Sequence, residues 1–115
     1  MIALKRIYEK YKKDDGFRIL VDRLWPRGVS KNKAHIDLWL KEIGPSNELR
    51  KWFNHAEAKW SEFKKEYKKE LKQKRKLLNM IKVLHKKHKK ITLLYGAKDE
   101  NHNQVIVIKE ILAKR

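Results

Sequence analysis

Two five-residue runs, Phe17-Arg18-Ile19-Leu20-Val21 and Ile91-Thr92-Leu93-Leu94-Tyr95, limit what this chain can fold into more than any other feature. Both are dominated by aliphatic and β-branched residues and both are too short for helices. Each stops at once against a polar loop containing glycine, Asp22 to Gly28 after the first and Gly96 to Asp99 after the second. Short apolar runs bounded by turn residues read as strands covered on both faces.

The segments between them carry a helical period. Trp60, Phe63, Tyr67 and Leu71 recur three and four apart with Lys and Glu between them, as on one face of an amphipathic helix. The stripe lapses over Lys72 to Lys76 and resumes at Leu77, Ile81 and Leu84, which predicts two helices with a break between them. Gly44-Pro45-Ser46 interrupts the chain earlier, and Ser46 is placed to cap a short helix through Leu49, Trp52 and Phe53. Val105, Ile106, Ile108, Ile111 and Leu112 predict a final helix, with Asn103 as its cap. At the other end, Ile2 to Tyr8 reads as a first strand, and Asp14-Asp15-Gly16 as a turn into the second. Residues 36–41 fit a strand through Ile36, Leu38 and Leu40, or a helical face through Ile36, Trp39, Leu40 and Ile43.

Strands alternating with helices predict an α/β fold: a small, mostly parallel sheet of about four strands, flanked by helices on both faces. With 115 residues, one domain over residues 1–115 is expected. In such sheets ligands bind beyond the carboxyl ends of the strands. Both polar loops follow strands directly, so they are expected on the same edge of the sheet.

Composition narrows the function classes. The chain has no cysteine, which removes disulfides, thiolate metal sites and a cysteine nucleophile, and fits a cytoplasmic location. The run Met1-Ile2-Ala3-Leu4 meets charge at Lys5, too early for a signal-peptide core, and no stretch approaches a membrane span, so no membrane partner is expected. The net charge is +17, and residues 56–90 alone hold fourteen Lys/Arg against four Glu. That excess invites a nucleic-acid reading in which lysines on the helices contact phosphates, although lysine runs on helices are commonly solvated faces. His55, His85 and His88 have no metal-binding spacing. Neither a phosphate-binding loop ending in Gly-Lys-Ser/Thr nor a Gly-x-Ser-x-Gly elbow is present, and no cofactor is implied.

The stretches Leu20-Val21-Asp22-Arg23-Leu24-Trp25-Pro26-Arg27-Gly28 and Leu93-Leu94-Tyr95-Gly96-Ala97-Lys98-Asp99 resemble the YeaO-like branch of the DUF488 family, a widespread bacterial family of unknown function. The likeness extends to Trp39-Leu40-Lys41, Pro45-Ser46, Leu49-Arg50-Lys51-Trp52-Phe53, His55 and His102-Asn103, and so covers nearly the whole chain. It implies a small α/β domain in which the two strand-end motifs meet, and it implies no established reaction.

The two loops hold the candidate site. Arg23 and Arg27 could clamp a phosphate, sulfate or carboxylate, since guanidinium groups donate paired hydrogen bonds to oxyanions; the plainer alternative is a pair of salt bridges to Asp22 and Asp99. Asp22 is a candidate base or an ion-pair partner for an arginine. Tyr95, Lys98 and Asp99 bring a phenol, an ammonium and a carboxylate into one turn, and His102 is the natural titrating group beside them. Asp99 could instead cap the following helix. Trp25 is a candidate ring-stacking residue or a core residue, Gly28 permits the loop its turn, and Asn103 would bring a helix N-terminus to an anion. Two functions follow: a site for an anionic small molecule, with Asp22, Asp99 or His102 handling protons if a reaction occurs, and a nucleic-acid-binding module using the basic helices. A homodimer is compatible with both.

Overall fold

The computed structural model describes residues 2–114; Met1 and Arg115, the ends of the expected domain, lie outside the described residues. Four parallel strands, β1 (Ile2–Arg6), β2 (Phe17–Leu20), β3 (Leu38–Trp39) and β4 (Ile91–Tyr95), form one sheet in the order β1-β4-β2-β3. The helices are α1 (Lys31–Ala34), α2 (Asn47–Phe53), α3 (Trp60–Lys72), α4 (Arg75–His88) and α5 (Gln104–Ala113). Strand β4 lies between β1 and β2, and all five of its residues are buried, as its unbroken apolar run predicts.

The two faces of the sheet are unequal. Alternation puts Ile19, Ile91, Leu93 and Tyr95 on the face that carries the main core, where they meet Leu49, Phe63, Tyr67, Leu71, Ile81, Val105 and Ile108 from the helices. Leu20 and Leu94 point the other way into a smaller cluster with Ile7 and Ala34, closed by Trp25, Val29, Ile36 and Trp39. That second face is covered by little more than α1 and its flanking loops.

Toward the start of the strands the same face turns polar. Arg18 is 2% exposed and forms an ion pair with Asp15, whose other oxygen accepts from Lys5 Nζ at 3.1 Å. The Arg18 guanidinium also donates to the carbonyls of Ala34 and His35, both at 3.0 Å. A buried charge is tolerated when its donors are satisfied in this way. Here it anchors the C-terminal end of α1, where His35 adopts a left-handed conformation with φ 51°.

The predicted caps and breaks are present. Ser46 Oγ accepts from Leu49 N at 3.1 Å and donates to Glu70 at 2.7 Å, so one hydroxyl caps α2 and ties it to α3. Helices α3 and α4 separate at Gln73-Lys74, within the lapse of the apolar stripe. Several elements differ from expectation: α1 has no counterpart among the predicted elements, and β2 ends at Leu20 and not Val21. β1 ends at Arg6 and not Tyr8. Residues 36–41, which read as a strand or as a helical face, form a strand only at Leu38 and Trp39, which pair with β2, and a tight turn over Lys41–Ile43 follows. The segment crosses the sheet edge, with Ile36 and Trp39 joining the minor cluster and Leu40 and Ile43 the main core. A chain that changes faces has no single repeat to show.

Candidate functional site

The chain leaves β2 toward the minor face, where Trp25 and Val29 pack, and leaves β4 toward the main face, where Val105 and Val107 are buried. Loops that diverge from adjacent parallel strands open a crevice between them at the strand ends. A cleft of about 400 Å³ lies there, lined by Asp22 to Pro26 on one side and by Gly96, Ala97, Asn103 and Gln104 on another. A third wall comes from α2 and the turn after it, with Arg50, Lys51, Phe53, Asn54 and His55, and Tyr8, Pro45 and Phe63 complete the lining.

Asp22 is held at the strand end by both carboxylate oxygens. One accepts from Gly96 N at 2.8 Å and the other from the side-chain amide of Gln104. A Cβ on residue 96 would stand 2.9 Å from the Asp22 oxygen, so a side chain there would push the carboxylate out of this position. Burial pushes the Asp22 pKa up to about 6, against the opposing pull of the Gly96 N–H and the Gln104 amide. Among the described residues no arginine is within ion-pairing distance of it, so the expected Asp22–arginine pair is absent.

Arg23 lines the cleft, but its guanidinium already has work elsewhere. Nε donates to Pro45 O at 2.8 Å and Nη2 to Gly44 O at 3.0 Å. Lys74 Nζ reaches the same Gly44 carbonyl at 2.9 Å, and burial with the nearby Arg23 charge holds its pKa below the usual lysine range. Tyr67 completes the attachment, its hydroxyl donating to Ile43 O at 2.6 Å. These groups fasten the loop of residues 43–45 to the loop after β2, to α3 and to the turn between α3 and α4.

The other predicted site residues divide. Trp25 and Asn103 line the cleft, and Asn103 caps α5 by accepting from Val105 N at 3.0 Å while donating to Asp99 O at 2.8 Å. Trp25 Nε1 donates to Val29 O at 2.8 Å, and the ring meets Trp39 edge-on at 5.2 Å. Arg27 is exposed and stands outside the lining, as does Gly28, whose φ of 78° serves the turn. Tyr95 is a core residue, 4% exposed, and Lys98 points to solvent.

Asp99 and His102 pair with one another at 2.9 Å, outside the cleft. Asp99 also accepts from the backbone of Asn101 and His102, and these donors with the imidazole hold its pKa below the usual carboxylate range. His102 packs edge-on against Trp60 at 5.3 Å, and its Nε2 lies 3.9 Å from Glu57. The pair closes a turn.

Arg50 was not among the sequence candidates. Its Nη2 reaches Asn47 Oδ1 at a long 3.4 Å, and its Nε is buried without a hydrogen-bond partner. A buried donor left unpaired is costly and therefore uncommon. The signal available in the sequence was Arg50-Lys51 on the helix capped by Ser46, but nothing local tells which way that helix faces.

Comparison with known proteins bears on the whole chain. It is 41% identical over 111 residues to the uncharacterized protein YeaO of Escherichia coli, covering 96% of each. Over 70 residues it is 41% identical to the uncharacterized protein Rv3073c of Mycobacterium tuberculosis, 61% of this chain and 59% of that one. No solved structure matches. The family model described as the inactive DUF488-N3 subclade matches residues 1–115, and the chain belongs to that subclade of the DUF488 family.

Proposed function

We propose that the protein binds, without converting, a small molecule bearing an oxyanion, in the cleft at the ends of β2 and β4. The observation that carries the reading is Arg50: its Nε is buried and unpaired, and the residue belongs to the wall of a cleft that Arg23, Lys51 and His55 also line. A phosphate, sulfate or carboxylate oxygen would supply the missing acceptor. The clamp is then Arg50 with Lys51. Arg23 holds the floor, and Arg27 takes no part.

Binding without turnover fits further facts. Asp99 and His102, two of the three expected proton handlers, are engaged with each other outside the cleft, Asp22, the third, lines the cleft with both oxygens held by Gly96 and Gln104, and the subclade is described as inactive. We place the protein in the cytoplasm as one domain; the absence of cysteine suits a reducing compartment.

Calorimetric titration with ribose 5-phosphate tests the reading. Arg50→Ala is expected to weaken binding at least tenfold while the melting temperature of the free protein stays within about 4 °C, because the side chain makes one long hydrogen bond. Equal affinity in the variant, or no binding by the native protein, would contradict it.

A further inference from the structure

The cleft holds more than an anion. Its volume of about 400 Å³ is on the order of a dozen waters and lies within the roughly 300–1,000 Å³ typical of small-molecule sites, so a bare phosphate would fill only a fraction of it. The rest of the lining has a different chemistry. Tyr8, 48% exposed, and Leu24, 56% exposed, stand at the cleft with the half-buried Trp25. The Tyr8 ring, over which the Arg6 guanidinium lies at 4.9 Å, is exposed, and an exposed ring beside a cleft is suited to cover a planar apolar face.

Asp22 divides the cleft electrically. Each of its oxygens accepts one hydrogen bond, which leaves lone pairs for a further donor, since an ionised carboxylate offers about four acceptor positions. It repels an oxyanion, whereas Arg50 and Lys51 on the α2 wall attract one. The three demands are a negative group at α2, a planar ring at the aromatic residues, and an N–H donor at the end of β2.

Resting on the anion-binding reading above, we propose that the ligand is a nucleoside monophosphate: phosphate at Arg50 and Lys51, base against Tyr8 and Trp25, and an N–H of the base donated to Asp22. A ring, a donor edge and an oxyanion on one short tether meet all three demands at once.

The full chain is titrated with adenosine 5′-monophosphate, ribose 5-phosphate and adenosine, read by calorimetry and by Trp fluorescence. The monophosphate is expected to bind at least tenfold more tightly than either fragment. Tyr8→Ala and Asp22→Asn are each expected to cut affinity for the monophosphate severalfold and to leave that for ribose 5-phosphate unchanged or, for Asp22→Asn, improved. Tyr8 is exposed and its hydroxyl makes one hydrogen bond, to Arg27 O at 2.9 Å, so Tyr8→Ala serves if Asp22→Asn fails to fold. Equal affinity for the monophosphate and ribose 5-phosphate overturns the nucleotide assignment and leaves the oxyanion site standing. Equal affinity for the monophosphate and adenosine, or no binding of any probe, overturns both.

Discussion

Asp22 shows how one residue combines a structural with a chemical role. It fixes the separation of the two strand-end loops through Gly96 and Gln104, and it does so as a group whose charged form is disfavoured by burial. The direction of the resulting pH dependence follows. A folded-state pKa raised from 3.8 to about 6 means that the native protein holds this proton more tightly than the unfolded chain. The ionised group therefore opposes folding, increasingly as pH rises from about 4 to about 6 and constantly above that, by on the order of 3 kcal/mol at full effect. Asp22→Asn removes that opposition. Its stability relative to the native protein, measured by urea unfolding, is expected to rise across this window and level off above it; a difference independent of pH would contradict the burial. The sequence exposed Asp22 as the end of a strand but not its partners, because Gln104 stands 82 positions away. Arg23 and Arg27 looked equivalent for the same reason. Only the packing of residues 43–45 makes one a fastener and leaves the other in solvent.

Among the elements, legibility followed the regularity of the burial pattern. β2, β4, α3 and α5 each keep one face or all faces in the core, and their periods were plain. β3 and its flanks change faces within a few residues, and α1 is a four-residue helix held by the buried Arg18, which lies in β2. α1 leaves no local trace, and β3 leaves only the short alternation of Ile36, Leu38 and Leu40. The element that matters most for the cleft is the loop of residues 43–45, which takes Arg23, Lys74 and Tyr67 as its attachments. Arg23→Ala removes two hydrogen bonds from a charged donor and is expected to cost about 2–4 kcal/mol, seen as a lowered denaturant midpoint. Arg50→Ala, by comparison, is expected to leave that midpoint nearly in place. A loss equal for both would mean that Arg23 is not a fastener.

At the scale of the molecule, the parallel order β1-β4-β2-β3 explains where the cleft is, since β2 and β4 are neighbours whose chains depart to opposite faces. The charge has a separate geography. Lys82, Lys86 and Lys87 of α4 are exposed and none of them lines the cleft. Charge of this kind supports non-specific phosphate contacts. Titration with duplex and single-stranded oligonucleotides is expected to show weak binding that falls steeply with added salt and is indifferent to Arg50→Ala; salt-resistant or Arg50-dependent binding would place nucleic acid in the cleft instead. No helix among the described residues is long and apolar enough to cross a membrane.

The central claim is that Arg50 awaits an anion. The most direct measurement is a crystal structure determined with ribose 5-phosphate. The account predicts a phosphate oxygen within hydrogen-bonding distance of Arg50 Nε, between α2 and the end of β2. Phosphate bound only along the lysines of α4, with Arg50 Nε still unpaired, would contradict it.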